Sequence, residues 1–88
     1  MARFETGGAD LIQMGASGNP EILMELGLMY ATGRSGEIDP VAAHKWFNLA
    51  AYRGCEAAKS HRENLAAEMS KPQIAQALRG ARQWITHH

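Results

Sequence analysis

Two stretches decide the fold: Leu26-Gly27-Leu28-Met29-Tyr30-Ala31-Thr32-Gly33 and, after a short connection, Asp39-Pro40-Val41-Ala42-Ala43-His44-Lys45-Trp46-Phe47. Working outward from Gly27, Ile22, Leu26 and Tyr30 recur every four residues with Leu23 and Gly27 beside them, the spacing of one buried helical face. In the second stretch Ala43, Trp46, Phe47 and Ala50 follow the i, i+3, i+4, i+7 rule. A glycine inside a helix costs about 1 kcal/mol relative to alanine, so Gly27 points to a second helix that approaches closely. The helix bearing Trp46 is the expected visitor, with Ala43, Ala50 and Ala51 as its shallow matching surface and Trp46 and Phe47 filling the space around them. The short Gly33–Asp39 connection makes the pair an antiparallel helical hairpin.

The punctuation on either side extends the pattern. Asn19-Pro20 and Asp39-Pro40 each place a capping residue directly before a proline at the first helical position, where the missing N–H would have had no intrahelical partner. Ser70-Lys71-Pro72-Gln73 is a capping box in its Gln form. Gly18, Gly33 and Gly54 each follow a periodic run and can close a helix in the left-handed conformation. These signals predict helices over Ala9–Ser17, Pro20–Thr32, Pro40–Arg53, Glu56–Met69 and Lys71–His87. The last would bury Ile74, Ala77/Leu78, Ala81 and Ile85. No run alternates apolar with polar residues, so the expected class is all-α. Gly18 and Gly54, roughly 36 positions apart, each precede a helix start, and periods of roughly 20–50 residues are the mark of solenoids of stacked helical pairs.

Composition bounds the rest. Eighty-eight residues hold one small domain, and 45% hydrophobic with 20% charged residues is ordinary for a soluble globular chain. Nine Lys+Arg balance nine Asp+Glu, so no broad field draws in nucleic acid or an anionic membrane, and neither is expected as a partner. The lone Cys55 can form no intramolecular disulfide and suits a reducing, cytoplasmic setting. Residues Met1–Gly8 lack the apolar segment of a secretory leader and read as a flexible start before a single domain over residues 9–88. The most apolar stretch, Ile22–Tyr30, is interrupted by Glu25 and Gly27, which excludes it as a membrane span.

Taken together, Leu26-Gly27-x-x-Tyr30-x-x-Gly33, Asp39-x-x-x-Ala43-x-x-Trp46, and Ala50-Ala51-x-x-Gly54 with Ala58 resemble the Sel-one-like repeat (SLR), a branch of the tetratricopeptide-like helical repeats. The likeness covers one full repeat, about residues 20–54, and Ala16-Ser17-Gly18 looks like the tail of a preceding one. It implies a short right-handed α-solenoid in which Leu26, Gly27 and Tyr30 are core positions of the first helix and Ala43, Trp46, Ala50 and Ala51 of the second. Gly33 and Gly54 become the turns. The chain departs from the pattern at Ser35-Gly36, where the family places a Gly and an aliphatic residue, and at Arg62-Glu63, where a further repeat would show Leu-Gly. Residues 56–87 are therefore expected to cap the stack through Leu65, Met69, Ile74, Leu78 and Ile85. The resemblance implies a scaffold or adaptor that binds protein, with no catalytic position.

Residues with chemical potential fit that reading. His44 and His61 lack the i, i+3 or i, i+4 spacing of a helical metal pair, and the terminal His87-His88 reads as a tail without function. Cys55 has no resolving cysteine or paired base in view and is expected to pack as a small side chain. Gly7-Gly8 and Gly33-Arg34-Ser35-Gly36 lack the Lys-Ser/Thr ending of a phosphate loop. Acids cluster at helix starts, where the dipole favours them, and the cations are interleaved with acids along several helices. No enzyme, metal or cofactor is expected. With Leu26 and Tyr30 in the core, Met24, Leu28 and Met29 point elsewhere on the same helix and form the expected protein-binding surface, unless Leu11, Ile12 and Met14 cover them. The expected partner is another protein or peptide. A homodimer formed through Pro20–Thr32, supplying burial that so short an array lacks, is the alternative.

Overall fold

Asn19 turns its side-chain oxygen onto the amides of Glu21 and Ile22 at 2.9 and 3.3 Å, directly ahead of Pro20. In the computed structural model, which describes residues 18–34 and 36–87, helix α1 runs Pro20–Thr32. The expected Ala9–Ser17 helix and the flexible segment before it lie outside the described residues. Gly33 stops α1 at φ 74°, and its amide and that of Arg34 converge on the Met29 carbonyl. Asp39 then accepts from the Ala42 amide at 3.1 Å and starts α2, Pro40–Tyr52.

The C-terminus of α2 is a Schellman motif. Gly54, at φ 106°, donates to Ala51 O at 3.0 Å, and Cys55 donates to Ala50 O at 2.9 Å. Arg53 is thus the cap rather than the last helical residue. Helix α3 follows as Glu56–Ala66, and α4 as Lys71–His87 behind the expected capping box: Gln73 N–H donates to Ser70 Oγ at 3.2 Å, and Ser70 N–H donates to Gln73 Oε1 at 2.9 Å. Gly18 and Gly54 both have positive φ, and a helix opens two residues after each, so the internal rhyme in the sequence is a rhyme in the backbone.

Helix α3 ends three residues before the Met69 boundary read from the sequence. Glu68 and Met69 donate to Leu65 O and Ala66 O through i to i+3 bonds that tighten the chain toward Ser70. Nothing in Ala66-Ala67-Glu68-Met69 disfavours a helix locally. The stop comes from the need to turn α4 back onto α2.

Helix α2 packs against each of the other three helices. One contiguous cluster joins Leu23, Leu26 and Met29 of α1 to Trp46, Leu49 and Ala50 of α2, Ala58 of α3, and Ala81 and Trp84 of α4. Trp84 meets Trp46 edge to face, with centroids 6.2 Å apart at 79°. Phe47 lies directly over Gly27, where an added Cβ would sit 2.5 Å from ring atom Cε1. The expected close approach of α2 to α1 is therefore present, with Phe47 as the visiting side chain.

Two helical faces differ from the periodicity reading. On α1 the fully buried positions are Leu23 and Leu26 with Gly27, while Ile22 and Tyr30 are half-buried, so the face is turned toward Leu23. On α4 the buried positions are Ala77, Ala81 and Trp84; Leu78, expected in the core, is 37% exposed, and Ile74 and Ile85 are half-buried. The indole of Trp84 has the largest apolar surface on α4, and seating it against Trp46 rotates Leu78 outward. The described residues are all-helical in their regular structure, with four helices and no strand.

Candidate interaction surface

Met24, Leu28 and Met29 were expected to share one outward surface of α1, and the structure separates them. Met29 is the correction: at 3% exposure it belongs to the core cluster, since the stripe that begins at Leu23 sweeps it inward. Met24 is half-buried against that cluster, its thioether sulfur accepting a weak hydrogen bond from Cys55 Sγ at 3.5 Å. Leu28 is half-buried and remains the apolar residue of the three with no place in the cluster. Leu11, Ile12 and Met14, which would cover this face, lie outside the described residues.

The larger exposed apolar side chains lie elsewhere. Ile38 is 66% exposed in the connection before α2, and Tyr52 is 64% exposed at the end of that helix. Neither stands out in the sequence. Ile38 is isolated among polar residues, and Tyr52 falls between Ala51 and Arg53 with no periodic partner.

Of the candidates for chemistry, Gly7-Gly8 and His88 lie outside the described residues, and the others are placed as follows. His61 stacks on Phe47 with centroids 5.2 Å apart and planes 16° from parallel. Its neighbour Arg62 donates to Asn48 Oδ1 at 2.8 Å, tying α3 to α2. His44 is 3% exposed, and its Nδ1 has no hydrogen-bond partner among the described residues. Burial, and secondarily the positive charge of Arg62, push its pKa below the usual 6.5 and hold the ring neutral at pH 7. Cys55 precedes α3 half-buried and makes no side-chain cap bond. The basic side chain of the Gly33-Arg34-Ser35-Gly36 stretch is engaged with Glu25 at 3.1 Å. Among the described residues no group of three or more His, Cys, Asp or Glu side chains is placed to hold a metal ion, and no helix is long and apolar enough to cross a membrane.

A shallow groove runs where α4 crosses the start of α2. It measures about 340 Å³ and is lined by Asp39, Val41, Ala42 and Lys45 of the α2 side and by Gln76, Ala77, Arg79, Gly80 and Gln83 of α4. Arg79 and Gln83 also border an adjoining hollow of about 270 Å³, lined among the described residues by these two with Arg82 and Thr86 of α4. Lys45 lies along the floor of the groove: an added Cβ at Gly80 would be 3.2 Å from Lys45 Cδ, and the ammonium rests 4.4 Å from the Trp46 ring centroid. Half-burial lowers the Lys45 pKa from its ordinary value. Sequence reading passed over this groove because its residues are spread over two helices remote in the chain. No family model, no curated protein and no solved structure matches the chain.

Proposed function

We propose that this chain is a non-enzymatic protein-interaction module of the Sel-one-like repeat type. The observation that carries the reading is the α1–α2 hairpin, because most residues of the resemblance lie where its two helices meet or end. Gly27 lies under Phe47, Leu26, Ala43 and Ala50 are fully buried, Trp46 is 5% exposed, and Gly33 and Gly54 take the positive φ of the turns. Such a pattern spends its distinctive residues on scaffolding and leaves the outer helical faces for recognition.

On α1 that outer face centres on Leu28, with Met24 beside it. The test is crosslinking and affinity capture with the parent chain and with Leu28→Glu. The expected result is one reproducible partner protein that the variant fails to capture while its circular dichroism melt matches the parent. A partner held equally well by Leu28→Glu overturns the assignment of this face. Sedimentation at micromolar concentration separates a distinct partner from self-association through α1, which would appear as a parent dimer dissociated by the same substitution.

A further inference from the structure

The zero net charge of the chain conceals a segregation of charge. After Glu68 no acidic residue follows, and α4 carries Lys71, Arg79 and Arg82 with no carboxylate. Of the cations on and beside the groove described above, Lys45, Arg79 and Arg82, none forms an ion pair among the described residues, whose salt bridges are Arg34–Glu25 and Lys59–Glu56. The acid at the groove's edge, Asp39, is committed to the first turn of α2 through the Ala42 amide.

Lys45 is the informative member. Its stem runs over Gly80, and its ammonium is held over the Trp46 ring instead of extending into solvent. Gly80 sits in a helix interior, where glycine is disfavoured relative to alanine, and the bare backbone there makes room for that stem. The result is a cation fixed in advance beside a small-residue floor of Ala42, Ala77 and Gly80, with Arg79 and Arg82 continuing the positive line along α4. A fixed cation loses less side-chain freedom on meeting an anion than a free one does.

We propose that the α2–α4 groove binds an extended acidic peptide segment of another protein, its carboxylates pairing with Lys45, Arg79 and Arg82. The proposal rests on the reading of the chain as a protein-interaction module and assigns that module a second face, distinct from the one centred on Leu28. A peptide is favoured over nucleic acid because, among the described residues, no aromatic ring lines the groove. Single strands bind by stacking bases on such rings, and Trp46 and Trp84 are both buried. The amide of Gln76 is placed on the wall where it can hydrogen-bond an extended backbone.

The experiment is a nuclear magnetic resonance titration of the full chain with a short peptide of alternating glutamate and alanine. The expected shifts cluster at Lys45, Gln76 and Gly80, and binding weakens as salt is raised. The double variant Arg79→Glu/Arg82→Glu is expected to weaken the peptide by on the order of tenfold or more, while Lys59→Glu on α3 leaves it unchanged. Matching circular dichroism melts establish that both variants are folded. Shifts absent from the groove, shifts spread equally around Lys59, or tighter binding of a single-stranded oligonucleotide or an anionic phosphatidylserine vesicle through the same residues would overturn the proposal. If the peptide fails while Leu28→Glu still abolishes a partner, the groove is wrong and the interaction-module reading stands. Loss of both removes the reading on which the proposal rests.

Discussion

Gly27 is the residue on which the hairpin turns, because the ring of Phe47 occupies the space a methyl group would need. Gly27→Ala gains about 1 kcal/mol of helix propensity, yet overpacking against an aromatic ring costs about 1–3 kcal/mol. The expected outcome is net destabilisation, read as a lower urea midpoint. Adding Phe47→Leu should be less than additive with it, since the smaller side chain relieves the clash that the added methyl creates. His44 acts through charge at the same scale. Its folded pKa lies below 6.5, so as pH falls through 6.5 the unfolded chain takes up a proton that the folded chain resists, and stability declines. The charged group acting on it is Arg62 of α3, which opposes the imidazolium. Denaturant midpoints should therefore drop between about pH 7.5 and pH 5 in the parent, and the drop should flatten in His44→Leu, which also removes the buried, unpartnered Nδ1.

Among the helices, α4 depends on two features far apart in its length. The Ser70–Gln73 box satisfies its first amides, and Ser70→Ala should cost about 1 kcal/mol, with faster amide exchange confined to the first turn of α4. The Trp46–Trp84 contact holds its other end to α2, and Trp46→Ala should cost about 3–5 kcal/mol, measured by thermal melting. That loss is a large share of the roughly 5–15 kcal/mol that stabilises a small domain. The start of α4 was legible in the sequence because a capping box is local chemistry. Its buried face was not: Ile74, Leu78 and Ile85 and the actual set Ala77, Ala81 and Trp84 both suit a helical period. Only the position of Trp46 on α2 chooses between them. The same contrast holds at the end of α3, where three good helix formers run on past Ala66 and the turn toward α2 overrides them.

For the whole molecule, α2 is the shared partner of the other helices, and one cluster runs from α1 through α2 to α4. Unfolding should therefore be cooperative across those three, with tryptophan fluorescence and helical circular dichroism giving coincident transitions. Helix α3 buries only Ala58 among its residues and is held otherwise by the His61 stack and the Arg62–Asn48 bond. Its amides should exchange faster than those of α1, α2 and α4. By itself the sequence determined the helical class, three of the four helix starts through their caps, the glycine stops at Gly33 and Gly54, and the close approach at Gly27, because each follows from propensity or sterics within a few residues. Only the tertiary structure decided that Met29 turns inward and Leu78 outward, that α3 stops at Ala66, and that a neutral chain brings Lys45 and Arg79 to one groove with Arg82 beside it. Those outcomes depend on which helix lies beside which, and side chains distant in sequence compete for one interior.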